Sequence, residues 1–116
     1  MLIKKSLFME GEKMLLTTTY DIDGKEYETL GLVTGSTIQT VNAIRDIGAG
    51  LKTLMGGEVK KYTEMMKNAR SLSTDRMIEE AENMGADAII CVRYSSSAVM
   101  QGAAEVMVYG TAIKFK

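Results

Sequence analysis

Two segments near the carboxyl end of this chain are apolar on both faces, and a strand that is oily front and back must be covered twice. Ala86–Ser95 (ADAIICVRYS) sets Ala88, Ile90, Val92 and Tyr94 on one side of an extended chain and Ile89 and Cys91 on the other. Glu105–Phe115 (EVMVYGTAIKF) sets Val106, Val108 and Ala112 against Met107, Tyr109, Ile113 and Phe115. Antiparallel sheets in small domains commonly keep one wet face, which gives clean alternation. These two segments lack it. One face therefore calls for the chain's own helices, and the other for a barrel interior or a neighbouring subunit. Self-association is the expectation that follows.

The helices come from the middle of the chain. Glu58–Met84 contains no Gly and, like the whole sequence, no Pro; Tyr62, Met66, Ala69, Ser73, Met77, Ala81 and Met84 recur at helical steps. Such a helix runs about 40 Å at 1.5 Å per residue. Gly85 suits a left-handed stop, and the hydroxyl-rich Ser71–Asp75 is the place for a bend. Before it, Val41, Ile44, Gly48, Leu51 and Met55 predict another helix, capped by Thr40, stopped by Gly56-Gly57 and weakened at its centre by Gly48 and Gly50. Upstream, Leu15–Tyr20 and Lys25–Ile38 flank an Asp23-Gly24 turn as a hairpin or a pair of nearby strands. Gly31 and Gly35 mark a bulge or a close backbone approach.

The predicted order is β-β-α-α-β-β. This is an α+β fold with a mainly antiparallel sheet and two helices between strand pairs. Residues 14–116 are expected to form this single domain. Residues 1–13 read as an amino-terminal extension or the product of an upstream start, because their apolar part is shorter than the roughly 7–15 residues of a secretory signal core.

Composition narrows the chemistry. Fourteen Lys and Arg against fifteen Asp and Glu leave a net charge of −1, which gives no broad electrostatic grip on nucleic acid. No stretch approaches the roughly 20 apolar residues of a membrane span. Neither nucleic acid nor membrane is an expected partner, and the lone thiol without an export signal points to the cytoplasm. The chain has no His, so imidazole is missing both as general base and as metal ligand. No G-x-S-x-G elbow occurs. No catalytic set is recognisable, and the chain reads more readily as a non-enzyme.

Five groups of residues remain as candidates. Cys91 is the only thiol; a free Cys in an apolar run ordinarily packs as a small hydrophobe, although symmetry-related copies could gather a ring of thiols for a soft metal. Asp75, Glu79 and Glu82 fall on one helix face and could hold a hard cation, or form a solvated face relieved by pairing of Arg76 with Glu80. Gly56, Gly57, Lys60 and Lys61 could receive an anion at the start of the long helix, and with Gly35-Ser36-Thr37 they support an alternative reading as an enzyme acting on a small anionic metabolite. The ten Met residues suit core filling better than a ligand set. Tyr62, Tyr94 and Tyr109 are suited to anchoring a core or an interface.

Several runs together resemble the YbjQ-like family of small proteins: LLTTTY at Leu15–Tyr20, LGLVTGSTI at Leu30–Ile38, NAIRDIGAGLKTLMGGEVKKYTEMM at Asn42–Met66, GADAIICVRY at Gly85–Tyr94 and VYGTAIKF at Val108–Phe115. The resemblance covers the chain from Met14 onward. It implies an α+β subunit of a homo-oligomeric ring, a pentamer in the expected form, and a binding role for a metal ion or small ligand at subunit junctions under the family's heavy-metal label. A structural adaptor ring that only presents a surface is the remaining alternative.

Overall fold

A computed structural model describes residues 14–40 and 56–116; the helix predicted over 41–55 lies outside them. The described elements are β1 (Leu15–Leu16), β2 (Tyr27–Thr40), α1 (Gly56–Asn83), β3 (Ala88–Met100) and β4 (Ala103–Phe115). The strands form one sheet in the order β1-β3-β4-β2. β3 and β4 make a long antiparallel hairpin, and β2 lies antiparallel to β4 over its whole length, from Tyr27 against Phe115 to Thr40 against Ala103. We call the end with Ala88, Ile113 and Tyr27 the base, and the end with the Met100–Ala103 turn the tip.

This corrects the expected architecture. Among the described residues the fold is α+β with one helix and four strands, and the sheet is mixed, because β1 runs parallel to β3. The first two strands are neither a hairpin nor neighbours; they occupy opposite edges. Asp23-Gly24 does turn the chain, with Lys25 N–H closing on Ile22 C=O at 3.2 Å, but the turn belongs to a strap that passes from one edge to the other. Turn chemistry reports a local reversal and not which strands will pair. Gly56-Gly57, expected as a helix stop, opens α1.

α1 is a single helix across Ser71–Asp75. Thr74 there returns its hydroxyl to Arg70 C=O at 2.7 Å, one turn back, so the hydroxyl is satisfied without breaking the ladder. After Asn83 the chain turns at Gly85 (φ 80°), and Ala86 N–H reaches back to Ala81 C=O at 3.0 Å. The buried stripe is Met65, Ala69, Ser73, Met77 and Ala81. Tyr62 and Met84, expected in this stripe, are 45% and 39% exposed, and Met65 is buried where the spacing pointed to Met66, which is half-buried. Steps of four overshoot a full turn by about 40°, so the stripe winds around the helix.

Small residues let the helix press onto β2. A Cβ on Gly35 would stand 2.0 Å from Ser73 O and 2.6 Å from Met77 N. That is backbone against backbone, the close approach that glycine in this strand announces. Ser73 Oγ is buried at the same contact and donates to Val106 C=O at 2.9 Å. On the helix side, Val33, Met77, Ala81, Ile89, Val92, Val108 and Ala112 form one core.

The back of the base carries a second core of Ala88, Ile90 and Ile113, with Ile22, Tyr27, Cys91 and Phe115 packed around it. The strap supplies part of this cover. Thr17 N–H bonds Ile89 C=O (3.0 Å), Cys91 N–H bonds Thr19 C=O (3.0 Å), and Val92 N–H bonds Thr17 C=O (2.9 Å). Arg93 adds a guanidinium bond to Thr18 C=O at 3.0 Å. The two-faced apolarity at the base is therefore met from within the chain.

Candidate functional site

Strict alternation does not hold along β3. Ile90 faces Thr111 and Arg93 faces Tyr109, so Cys91 and Val92 together oppose Gly110. The result is a bulge with Cys91 in the left-handed region (φ 58°). Ile89, Val92 and Tyr94 consequently lie on the helix side, and Ala88, Ile90 and Cys91 on the back. Val92 changes sides relative to the sequence expectation. Gly110 makes the bulge possible: a Cβ there would stand 2.6 Å from Ile89 Cγ2 and 3.0 Å from Ile90 O.

The switch of phase has a consequence toward the tip. α1 packs over β2 and β4, and the outer half of β3, from Arg93 to Met100, is exposed. Between the helix and this bare stretch runs a cleft of about 90 Å3 lined by Met66, Arg70, Tyr94, Ser95, Ser96 and Val106. Val106 is its buried floor. Tyr94 is tied to α1 by a 2.8 Å contact between its hydroxyl and Thr74 Oγ1. Thr74 already spends its one proton on Arg70 C=O, so Tyr94 donates in that contact. The lining groups left with donors are the Arg70 guanidinium and the serine hydroxyls. Among the described residues no carboxylate lines the cleft.

A wider hollow of about 340 Å3 lies over Thr17–Asp23. Its polar side chains are engaged with one another: Thr17 Oγ1 meets Thr19 Oγ1 at 2.9 Å, Thr19 donates to Asp21 C=O at 2.6 Å, and Asp21 Oδ1 accepts from Ile22 N–H at 2.9 Å. Beneath it the Tyr27 hydroxyl donates to Tyr20 C=O at 3.3 Å. Burial, with the Asp21 carboxylate and the Cys91 thiol nearby, raises its pKa above the ordinary 10.0.

The structure disperses most of the residues singled out from sequence. Cys91 is half-buried on the back of the base, whereas Asp75, Glu79 and Glu82 are exposed on α1, on the other side of the sheet. Among the described residues no three His, Cys, Asp or Glu side chains gather in a way that could hold a metal ion. Arg76 and Glu80 both engage the edge of β2: Arg76 donates to Ser36 C=O at 2.7 Å and Glu80 accepts from Thr34 N–H at 2.8 Å. Gly56 and Gly57 lie in the first turn of α1, and Lys60 and Lys61 are exposed just beyond. Among the cleft residues, Arg70, Ser95 and Ser96 escaped notice in the sequence. The available signal was Ser95–Ser97, three hydroxyls continuing an apolar strand.

The profile of the YbjQ family, described as "Putative heavy-metal-binding", matches residues 14–116. The chain belongs to that family. A UPF0145 protein of Clostridium novyi is 60% identical over 101 residues, covering 87% of this chain and 98% of that one. Another from Alkaliphilus metalliredigens is 58% identical, covering 88% and 99%, and one from Thermotoga maritima is 50% identical, covering 89% and 98%. The fold is similar to that in a crystal structure of a protein of unknown function from Pediococcus pentosaceus, with a TM-score of 0.64 at 20% identity over 89% of this chain and 98% of that one. The heavy-metal description of the YbjQ family does not fit the donor set of the described part of this chain. Its one thiol faces Ile22, Tyr27 and Phe115 without a second soft ligand, where copper(I), zinc or cadmium would want several. No helix of the described residues is long and apolar enough to cross a membrane.

Proposed function

We propose that the chain is the subunit of a cytoplasmic homo-oligomer, a pentamer as its family resemblance implies, that acts as a non-enzymatic binding protein for a small ligand at or near its subunit junctions. The observation that carries this reading is the uneven cover of the sheet. On the back, beyond the strap, Leu32, Ile38, Met107 and Tyr109 stand 67%, 59%, 37% and 39% exposed, and at the tip Val99 and Met100 stand 47% and 67% exposed. Apolar side chains grouped in this way on a small domain mark an interaction surface. The open outer edge of β3 and the opposite edge formed by β2 are unlike surfaces. Contacts between unlike surfaces are heterologous, and they form rings where the rotation closes.

The test is the mass of the full chain by sedimentation velocity at micromolar concentration. The expected result is a discrete oligomer that Leu32→Lys combined with Met107→Lys converts to a folded monomer. A wild-type chain that sediments as a well-folded monomer would refute the reading.

A further inference from the structure

We infer that the cleft between α1 and β3 is a binding site for a small oxyanion, a phosphate or sulfate group, held by Arg70 and Ser96. This rests on the binding-protein reading and deepens it by naming the ligand's chemistry. By register Tyr94 and Ser96 lie on the helix side of the sheet, paired with Val108 and Val106, and both line the cleft together with Arg70. Tyr94 donates to Thr74, as the single proton on Thr74 requires, so the tyrosine serves as a wall that holds the spacing between strand and helix. Arg70 and Ser96 then face the cleft as donors.

An arginine fork has five N–H donors and no acceptor, and its natural partner is a carboxylate or a phosphate-like group. Among the described residues the lining holds no carboxylate, so none of them offers a counterpart there to the charge on Arg70. A volume of about 90 Å3 equals about three waters at roughly 30 Å3 each, which suits one tetrahedral oxyanion group. Met66 and Val106 form the apolar remainder of the wall. The surrounding charge agrees: along α1 up to Arg70, Lys60, Lys61, Lys67 and Arg70 outnumber Glu58 and Glu64, whereas beyond it Asp75, Glu79, Glu80 and Glu82 outnumber Arg76.

The experiment is calorimetric titration of the full-length chain with inorganic phosphate, sulfate and glycerol phosphate, repeated on Arg70→Gln, Ser96→Ala and the double variant Lys60→Gln/Lys61→Gln. The expected result is saturable binding of inorganic phosphate, weakened about tenfold or more by Arg70→Gln and severalfold by Ser96→Ala, and nearly unchanged in the lysine variant. Arg70 is exposed, so its variant should fold, as circular dichroism checks. Tighter binding of glycerol phosphate than of phosphate assigns the site to the head of a larger ester; the reverse order assigns it to the free ion. Absence of binding up to about 10 mM, or binding that Arg70→Gln leaves intact, overturns the proposal. Sedimentation of the same variants keeps the two readings separable, because a lost site leaves the oligomer's mass unchanged and a lost oligomer shows as mass.

Discussion

The base and the tip of the sheet use the same vocabulary of side chains and reach opposite ends. At the base, Ala88, Ile89, Ile113 and Ala112 are fully buried, with α1 on one face and the strap on the other. The strap is itself fastened: Lys116 N–H bonds Glu26 C=O at 3.0 Å, and Lys25 Nζ stands 5.1 Å over the Phe115 ring. Toward the tip, Met107 and Tyr109 continue the same face of β4 as Ile113, with no strap beneath them. The difference teaches that an apolar face says a cover is needed and leaves open which part of the molecule, or which copy of it, provides one.

Substitutions can break that comparison. The largest effect should come from Gly35→Val at the helix–strand contact, where the new side chain meets the backbone of Ser73 and Met77; a loss beyond the usual range of overpacking, about 5 kcal/mol or more, is expected in urea unfolding. Ile113→Ala in the base should cost about 2–5 kcal/mol by the same measurement. At the bulge, Cys91→Val should be about 1–2 kcal/mol less stable than Cys91→Gly, because φ 58° penalises a β-branched residue and not glycine. Tyr109→Ser on the open half should change unfolding of the isolated subunit by less than about 0.5 kcal/mol while loosening self-association in sedimentation. A large loss of subunit stability there would erase the contrast between the two halves.

The smallest effect sharpens the contrast by reporting on the strap alone. The Tyr27 hydroxyl has a raised pKa, so its neutral form is favoured by the folded state. The stabilisation is fully present below pH 10 and is lost as pH rises past the unfolded value and through the folded one. Absorbance at alkaline pH should show one tyrosine ionising late, absent in Tyr27→Phe and shifted toward the ordinary value in Asp21→Asn.

Much of the scaffold is legible in the residues. Ala69, Ser73, Met77 and Ala81 mark the helical stripe, Gly85 its stop, and Gly35 the place where two backbones meet. Other features were hidden for identifiable reasons. The bulge places a non-glycine residue in a left-handed conformation, and the residue that permits it, Gly110, sits on the facing strand nineteen positions away. The pairing of β1 with β3 rests on two residue pairs, too few to leave a pattern. Arg70 and Ser96 become neighbours only when α1 is laid across the sheet.

Side-chain pattern alone determined that the chain is α+β, that a long helix lies between apolar strands, and that those strands require two covers, because periodicity and burial are properties of short segments. Tertiary structure alone decided that the strap closes the base, that Val92 turns toward the helix, and that a cleft opens beside Arg70. Each of these depends on register and on contacts between residues far apart in the chain, for which local preferences carry no energy.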